Sequence, residues 1–356
     1  MPVAKHDQPS VPSVEMKVNG FFLPAEATAY VIGVTVDDSV EAPGMFTIEL
    51  AGGGTLKQTI PWVDDQRFEV GGAVEIKLGY GSEMETLFSG EITGLEPEFV
   101  FDRPPGLIVR GYDRRHRLRR GRKTRTFVQQ KDSDIASRIA GEAGLTAEVV
   151  DSQVTHDYVL QADLTDLEFL WRRARRIEYE VVVIDKRLLF RPVANAESAA
   201  LTLVMEKELL EFYPRLTSMR QVSEVAIRSW NAKEKKEIVG QARTGDEITM
   251  MGGQRSGGRI AHAAFGAAAE LIGVQPVMSQ AEADQLARAR LNHRALGLIV
   301  GEGVCYGRTD LRAGKVVRIE GVGRRFSGLY YVTGAIHRYT QQRGYQTHFA
   351  VRRNAS

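Results

Sequence analysis

The chain has 356 residues, of which 43% are hydrophobic and 26% are charged. This composition supports folded cores, excludes a wholly disordered chain and, at this length, favours two or three domains. Lysine and arginine number 47 against 45 aspartate and glutamate residues, so the net charge of +2 gives no general affinity for nucleic acid or membranes.

Residues 1–14 are polar and contain three prolines, which predicts a flexible N-terminal arm. Short segments of alternating apolar and polar residues follow, such as Met45–Leu50 and Ala73–Tyr80. Glycine, proline and aspartate separate them, a pattern typical of antiparallel strands and turns. We therefore expect a first small β-barrel domain at residues 15–115.

In residues 116–200 the spacing of apolar residues changes, which predicts an α+β inserted domain. Asp132 begins a short apolar-periodic segment, and Thr165 with Glu168 forms the capping-box pattern of a second helix. Residues 179–190 then read as two strands joined by a turn at Asp185 and Lys186.

From residue 201 the strand pattern returns, and it predicts a second β-barrel domain at residues 201–356. Within it, residues 241–268 are rich in glycine and alanine without clear periodicity, so we expect a long loop there. Ser279 and Glu282 predict the start of a helix at residues 279–296. The predicted fold class is mainly β, with an α+β insertion between two small antiparallel β-barrel-like domains.

Five segments carry a resemblance to a known family. They are Leu107–Leu118, Asp132–Ala136, Leu160–Leu170, Ser327–Tyr339 and Gly344–Phe349. In this order and spacing they resemble the phage late control protein D family. That family includes the baseplate hubs of contractile tails and is similar to the N-terminal hub part of the VgrG proteins of type VI secretion.

The resemblance implies a structural baseplate hub of a phage tail or contractile injection system. Such a hub is a homotrimer whose paired barrels form a pseudo-sixfold ring between a hexameric inner tube and a trimeric spike. VgrG chains continue into the spike, whereas this sequence stops at Ser356, so we expect a separate spike protein. The expected partners are further copies of the chain, this spike, the inner tube or tube-initiator protein, and the baseplate wedge proteins.

The N-terminus lacks the apolar segment of a signal peptide, and no apolar run is long enough to span a membrane. We therefore expect no membrane anchor and assembly in the bacterial cytoplasm. The protein would then reside in the baseplate of a phage tail, a pyocin-like particle or an injection particle released from the cell.

A run of basic residues is the strongest local feature of the sequence. We select eight of its residues as a candidate interface: Arg114, Arg115, Arg117, Arg119, Arg120, Arg122, Lys123 and Arg125. A protein interface or solvated loop, a surface facing the tube lumen, and direct nucleic-acid binding all explain such a run. The near-neutral chain and the single aromatic residue within the run, Tyr112, make nucleic-acid binding the weakest of the three.

The sequence predicts no enzyme, with no catalytic residue, cofactor or metal site. The seven histidines lack metal-site spacing, and we expect His337 and His348 to pack across the last hairpin. Cys305 lies in an apolar strand pattern typical of a buried thiol. Two alternatives stay open: a tail-associated peptidoglycan hydrolase, and a nucleic-acid-binding protein that uses the basic run from Arg110 to Arg125.

Overall fold

The computed structural model describes residues 11–52, 62–101, 105–231, 234–273 and 277–356. The strands in these ranges are Pro12–Val18 (β1), Phe21–Phe22 (β2), Val31–Ser39 (β3), Met45–Ala51 (β4), Ala73–Tyr80 (β5), Glu83–Glu98 (β6), Gly106–Tyr112 (β7), Lys123–Lys131 (β8), Thr146–Val149 (β9), Thr155–Leu164 (β10), Tyr179–Ile184 (β11), Arg187–Pro192 (β12), Leu201–Val204 (β13), Leu209–Leu216 (β14), Glu224–Asn231 (β15), Lys236–Arg243 (β16), Ala269–Ile272 (β17), Ile299–Tyr306 (β18), Val316–Glu320 (β19), Gly328–Thr340 (β20) and Gly344–Arg353 (β21). The α-helices are Ala25–Ala29 (α1), Asp132–Glu142 (α2), Asp166–Arg176 (α3), Gly257–Phe265 (α4) and Gln280–Ala295 (α5).

One large sheet joins the first and last parts of the chain. Its strands follow the order β14-β18-β21-β20-β3-β4-β7-β6-β5-β1-β2, and β19 pairs with both β13 and β20. The joint is the antiparallel pairing of β20 with β3, which runs from Gly334 opposite Ser39 to Thr340 opposite Gly33. The predicted class, mainly β with an α+β insertion, is confirmed.

The two β regions do not close into separate barrels within the described residues. Strand β20 has β21 on one side and β3 on the other, so both regions share one open sheet. Residue alternation predicts which face of a strand is buried, but it does not show which strand lies beside it. The boundaries at residues 115 and 200 stay a prediction, although each part of the chain buries its own hydrophobic cluster.

The insertion combines two small sheets with helices α2 and α3. Strand β8 pairs with β10, while β12 pairs with β11 and lies parallel to β9. Thr165 Oγ1 accepts a hydrogen bond from the Glu168 backbone N–H at 3.2 Å, and Glu168 Oε2 accepts one from the Thr165 N–H at 3.0 Å. This reciprocal pair confirms the predicted capping box at the start of α3.

Helix α5 packs on a fourth sheet of order β16-β15-β17. Strand β16 and helix α5 come close together at Gly240, where a Cβ atom would lie 2.3 Å from the backbone of Ala283. Ser279 caps the helix by accepting a hydrogen bond from the Glu282 N–H at 3.2 Å. The predicted helix at residues 279–296 is confirmed, with Gln280–Ala295 as its observed bounds.

Two expectations about irregular segments need correction. Helix α4 occupies Gly257–Phe265, inside the expected loop at residues 241–268, and its two leading glycines lower helix propensity enough to hide it. Most of the expected arm, residues 1–10, lies outside the described residues. Its last part is not an arm, because β1 begins at Pro12 and pairs with β5 along its whole length.

Candidate assembly interface

The basic run connects the main sheet to the insertion. It follows β7, forms a 3₁₀ turn at Arg114–Arg119 and ends within β8. Asp113 caps the turn, since its Oδ1 accepts a hydrogen bond from the Arg115 N–H at 2.8 Å. The run therefore sits at a joint of the fold, which limits how much of it can meet another molecule.

Arg115 is an internal residue, with a side chain only 1% exposed. Its guanidinium donates to both carboxylate oxygens of Asp113, and Nη1 donates to the Ser39 carbonyl at 2.9 Å. Asp113 also accepts a hydrogen bond from the Gly44 N–H at 2.5 Å. This cluster fastens the basic turn to the connection between β3 and β4.

Arg114 joins the main sheet to the insertion. Its side chain is 7% exposed and lies 3.2 Å from Glu91 on β6 and 2.5 Å from Asp185 in the turn between β11 and β12. Glu91 also contacts His116 at 2.8 Å and pairs with Arg117. Burial opposes ionisation of Glu91, but the hydrogen bonds from Arg117 and His116 prevail and lower its pKa below the ordinary value.

The second half of the run pairs with acidic residues of the insertion. The contacts are Arg122 to Asp163 at 3.0 Å and to Glu168 at 3.4 Å, Lys123 to Asp166 at 2.7 Å, and Arg125 to Asp166 at 2.8 Å and to Glu142 at 2.5 Å. These pairs fix β8 to β10, α2 and α3. Most of the charge that is conspicuous in the sequence is thus neutralised by carboxylates distant in sequence.

Arg119 and Arg120 differ from the rest of the run. Both are exposed, and neither lies within ion-pair distance of a carboxylate in the described part of the chain. Arg114 and Arg115 are buried, so they cannot offer their charges to a partner in this fold. The interface interpretation stays a prediction, and its accessible part is Arg117, Arg119, Arg120 and Arg122.

The expected contact between His337 and His348 is wrong. In the β20–β21 register His337 lies opposite Thr347, while His348 lies opposite Ile336, so the two rings point to opposite faces of the sheet. His337 is fully buried, and its Nδ1 is 2.8 Å from the Tyr345 hydroxyl. Burial lowers its pKa to about 3, so the ring is neutral at physiological pH.

Cys305 is buried in β18, and burial raises its pKa to about 12, which keeps the thiol protonated. In the described ranges, no group of three or more histidine, cysteine, aspartate or glutamate residues could hold a metal ion. Among the described helices, none combines the length and the apolar character needed to cross a membrane.

The path from β14 to β2 in the main sheet has two free ends among the described residues. Strand β14 pairs with β18 on one side only, and its Tyr213 is 67% exposed. At the other end, the short strand β2 pairs only with β1 and exposes Phe21 and Phe22. Unpaired backbone groups at such edges can accept a strand from another chain.

Comparison with known families shows where the chain belongs. The model of the Alg8 N-terminal domain family matches residues 8–341. The chain belongs to this family. A search of curated proteins found no match to this chain.

Solved structures similar to this chain come from phage tails and type VI secretion. The 43 kDa tail protein of prophage MuSo2 from Shewanella oneidensis is 13% identical with a TM-score of 0.72, over 96% of this chain and 98% of that one. A tail protein from Neisseria meningitidis MC58 is 12% identical with a TM-score of 0.69, over 96% of both chains.

A third similar structure is the Escherichia coli c3393 protein. It is described as a type VI secretion component that is structurally similar to the T4 tail proteins gp27 and gp5. It is 13% identical with a TM-score of 0.62, over 96% of this chain and 77% of that one. At these identities the likeness shows the fold, which is that of phage tail proteins.

Proposed function

We propose that the protein is a structural subunit of a contractile-tail or injection-system baseplate, and not an enzyme. The observation that carries the proposal is the fold likeness to the Shewanella prophage tail protein, which spans 96% of this chain and 98% of that one. The likeness covers nearly the whole of both chains, which supports a role similar to that of the tail protein. Function is inferred here by analogy of fold, so it needs a direct test.

Within the baseplate we assign the chain to the hub, as a homotrimer between a hexameric inner tube and a trimeric spike. The resemblance to the late control protein D family supports this role. Its segments fall on β7 and the basic turn, on the starts of α2 and α3, and on β20 and β21. Strand β20 is the one that joins the two β regions, so the resemblance covers the centre of the fold.

Ring assembly also gives the free sheet ends a role. Two similar β regions in each of three subunits would present six comparable surfaces to a hexameric tube. Pairing between β14 of one subunit and the β1–β2 end of the next would cover both edges, which otherwise favour uncontrolled association. Assembly would occur in the bacterial cytoplasm, with tube, spike and wedge proteins as partners.

The test is the copy number and arrangement of the chain in assembled particles. Quantitative mass spectrometry, with the tube protein as the reference for copy number, should give three copies of the chain per baseplate. Cross-linking should connect β14 of one copy to the β1–β2 end of another. A monomer or hexamer in the particle would overturn the hub assignment. Cleavage of purified peptidoglycan by the isolated chain would overturn the non-enzymatic assignment.

A further inference from the structure

A large cleft lies between the insertion and the last part of the chain. Its volume is about 1350 Å³. Helix α3 and the start of β11 line it on the insertion side, and α5 with β14 and the segment after β14 lines it on the other. The cleft is separate from the basic run, which contributes none of its lining residues.

The charged lining of this cleft is dominated by one residue type. Among the described residues, this lining contains eight arginines and four glutamates, with neither lysine nor aspartate. The whole chain carries a net charge of only +2, so this excess of positive charge is local. Arginine presents a planar set of donors that binds carboxylates through paired hydrogen bonds, which lysine does not.

Half of these arginines are occupied within the chain. Glu270 pairs with Arg290 at 2.7 Å and with Arg294 at 2.9 Å. Arg352 pairs with Glu41 at 2.8 Å. Arg176 pairs with Glu282 at 3.0 Å. These pairs hold the walls in place and leave the remaining guanidinium groups as the binding elements.

Four arginines of the cleft are exposed and have no carboxylate within ion-pair distance in the described part of the chain. Arg172 and Arg175 come from α3, while Arg215 comes from β14 and Arg220 from the segment that follows it. The four guanidinium groups thus enter one cleft from two different parts of the fold. A ligand that spans the cleft can meet both pairs.

The other titratable groups do little to offset this charge. Burial raises the pKa of Glu178 to about 8, so its carboxyl is mostly protonated at neutral pH. Glu180 is buried and already binds Arg191 and Tyr331. Desolvation lowers the pKa of His293, and the nearby guanidinium groups, including those of Arg352 and Arg290, lower it further.

The size and the aromatic content of the cleft indicate the kind of ligand. Its volume exceeds the roughly 300–1000 Å³ of ordinary small-molecule pockets, which favours a polymer segment. Two of its aromatic residues are engaged, since Tyr179 donates to the Asp151 carbonyl and Tyr331 is buried against Glu180. Few rings are left for stacking bases, so a peptide fits better than single-stranded nucleic acid. Met219, which is 88% exposed, adds an apolar contact at the rim.

We propose that this cleft binds an acidic peptide segment of another protein, with its carboxylates held by Arg172 and Arg175 on one wall and by Arg215 and Arg220 on the other. An apolar side chain of the same segment would pack on Met219. The proposal does not depend on the hub assignment, because it rests on the cleft alone.

The experiment measures fluorescence anisotropy of a labelled octapeptide that alternates Glu and Leu, with the purified full-length chain at physiological salt. We expect saturable binding, and affinity about tenfold weaker in either Arg172→Gln/Arg175→Gln or Arg215→Gln/Arg220→Gln, because each variant removes charge-assisted hydrogen bonds. The two variants alter different walls, so each tests the cleft independently, and their melting temperatures check that they fold.

The matched control is Arg324→Gln/Arg325→Gln, which removes two exposed arginines that lie outside the cleft and have no ion-pair partner among the described residues, and it should leave the affinity unchanged. A peptide with Gln in place of Glu should not bind. Absence of binding by the wild-type chain, or an equal loss of affinity in the control variant, would overturn the proposal. So would a labelled thymidine oligonucleotide that binds more tightly than the acidic peptide, which would assign the cleft to nucleic acid.

Discussion

At the residue scale, the most unusual group is the carboxyl of Glu178. It lies between α3 and β11, and its Oε1 is buried without a hydrogen-bond partner among the described atoms. Burial raises its pKa to about 8, and Asn292 and Arg288 offset this only in part. The folded chain therefore keeps a proton on Glu178 at a pH where the unfolded chain has lost it.

Stability should depend on this proton. Between pH 4.5, the ordinary pKa, and pH 8, the native state binds a proton that the unfolded state releases. The free energy of unfolding should therefore fall as pH rises through this window, by up to about 5 kcal/mol, and level off above it. Glu178→Gln should remove this slope in urea titrations across the same range. Glu148→Gln, which alters an exposed pair with Arg187, serves as the control, and an unchanged slope in Glu178→Gln would contradict the assignment.

At the scale of elements, helix α4 shows how packing can outweigh propensity. A Cβ atom on Gly257 would lie 2.0 Å from Gln221 Oε1, and one on Gly258 would lie 2.5 Å from Thr244 Oγ1. Gln221 is buried and donates to the Arg294 carbonyl at 2.8 Å, so it has little room to move. Glycine is needed here for close approach, and its poor helix propensity explains why the helix is hidden in the sequence.

Opposite effects are expected for one substitution in two helices. Gly257→Ala should destabilise the fold by about 1–3 kcal/mol, because the added methyl group overpacks against Gln221. Gly141→Ala in α2 should stabilise it by about 0.5–1 kcal/mol, because no described atom beyond the backbone of α2 itself lies within 4 Å of the new Cβ, and because alanine favours helix. Chemical denaturation measures both. A gain in stability for Gly257→Ala would show that α4 does not need the close contact between Gly257 and Gln221.

At the scale of the whole molecule, the joint between the main sheet and the insertion depends on Glu91. This residue neutralises buried Arg114 and also binds His116 and Arg117, while Arg114 reaches across to Asp185 in the insertion. The charges of the basic run thus hold two parts of the chain together. This structural role explains most of the run without a partner molecule.

Glu91→Gln should lower the free energy of unfolding by about 2–4 kcal/mol, because it leaves the Arg114 charge buried with one exposed partner. Glu96→Gln is the matched control on the same strand. Its pair with Arg110 is 3.0 Å long and solvent-exposed, so the change should cost less than about 1 kcal/mol. In Glu91→Gln, hydrogen exchange should be faster in the insertion than in the wild-type chain. An equal loss of stability in Glu91→Gln and Glu96→Gln would contradict a buried joint.

Elements whose signals are local could be predicted from the sequence alone. The capping box at Thr165, the helix after Ser279 and the turn at Asp185 were all predictable, because each depends on residues a few positions apart. The mainly β class with its α+β insertion was also predictable, because the alternation of apolar and polar residues within a strand is visible in the sequence. The ordered segments also pointed to the fold of tail proteins before any comparison.

Which of these elements lie next to each other became clear only in the folded chain. The pairing of β3 with β20 brings together residues about 300 positions apart, and nothing local to either strand specifies it. The carboxylates that neutralise Arg114, Lys123 and Arg125 are likewise distant in sequence. The sequence alone therefore overstates how many basic side chains of the run are free to contact a partner. The arginine cleft was missed for the same reason, because its free charges come from α3 and from the edge strand β14, which become neighbours only when the chain folds.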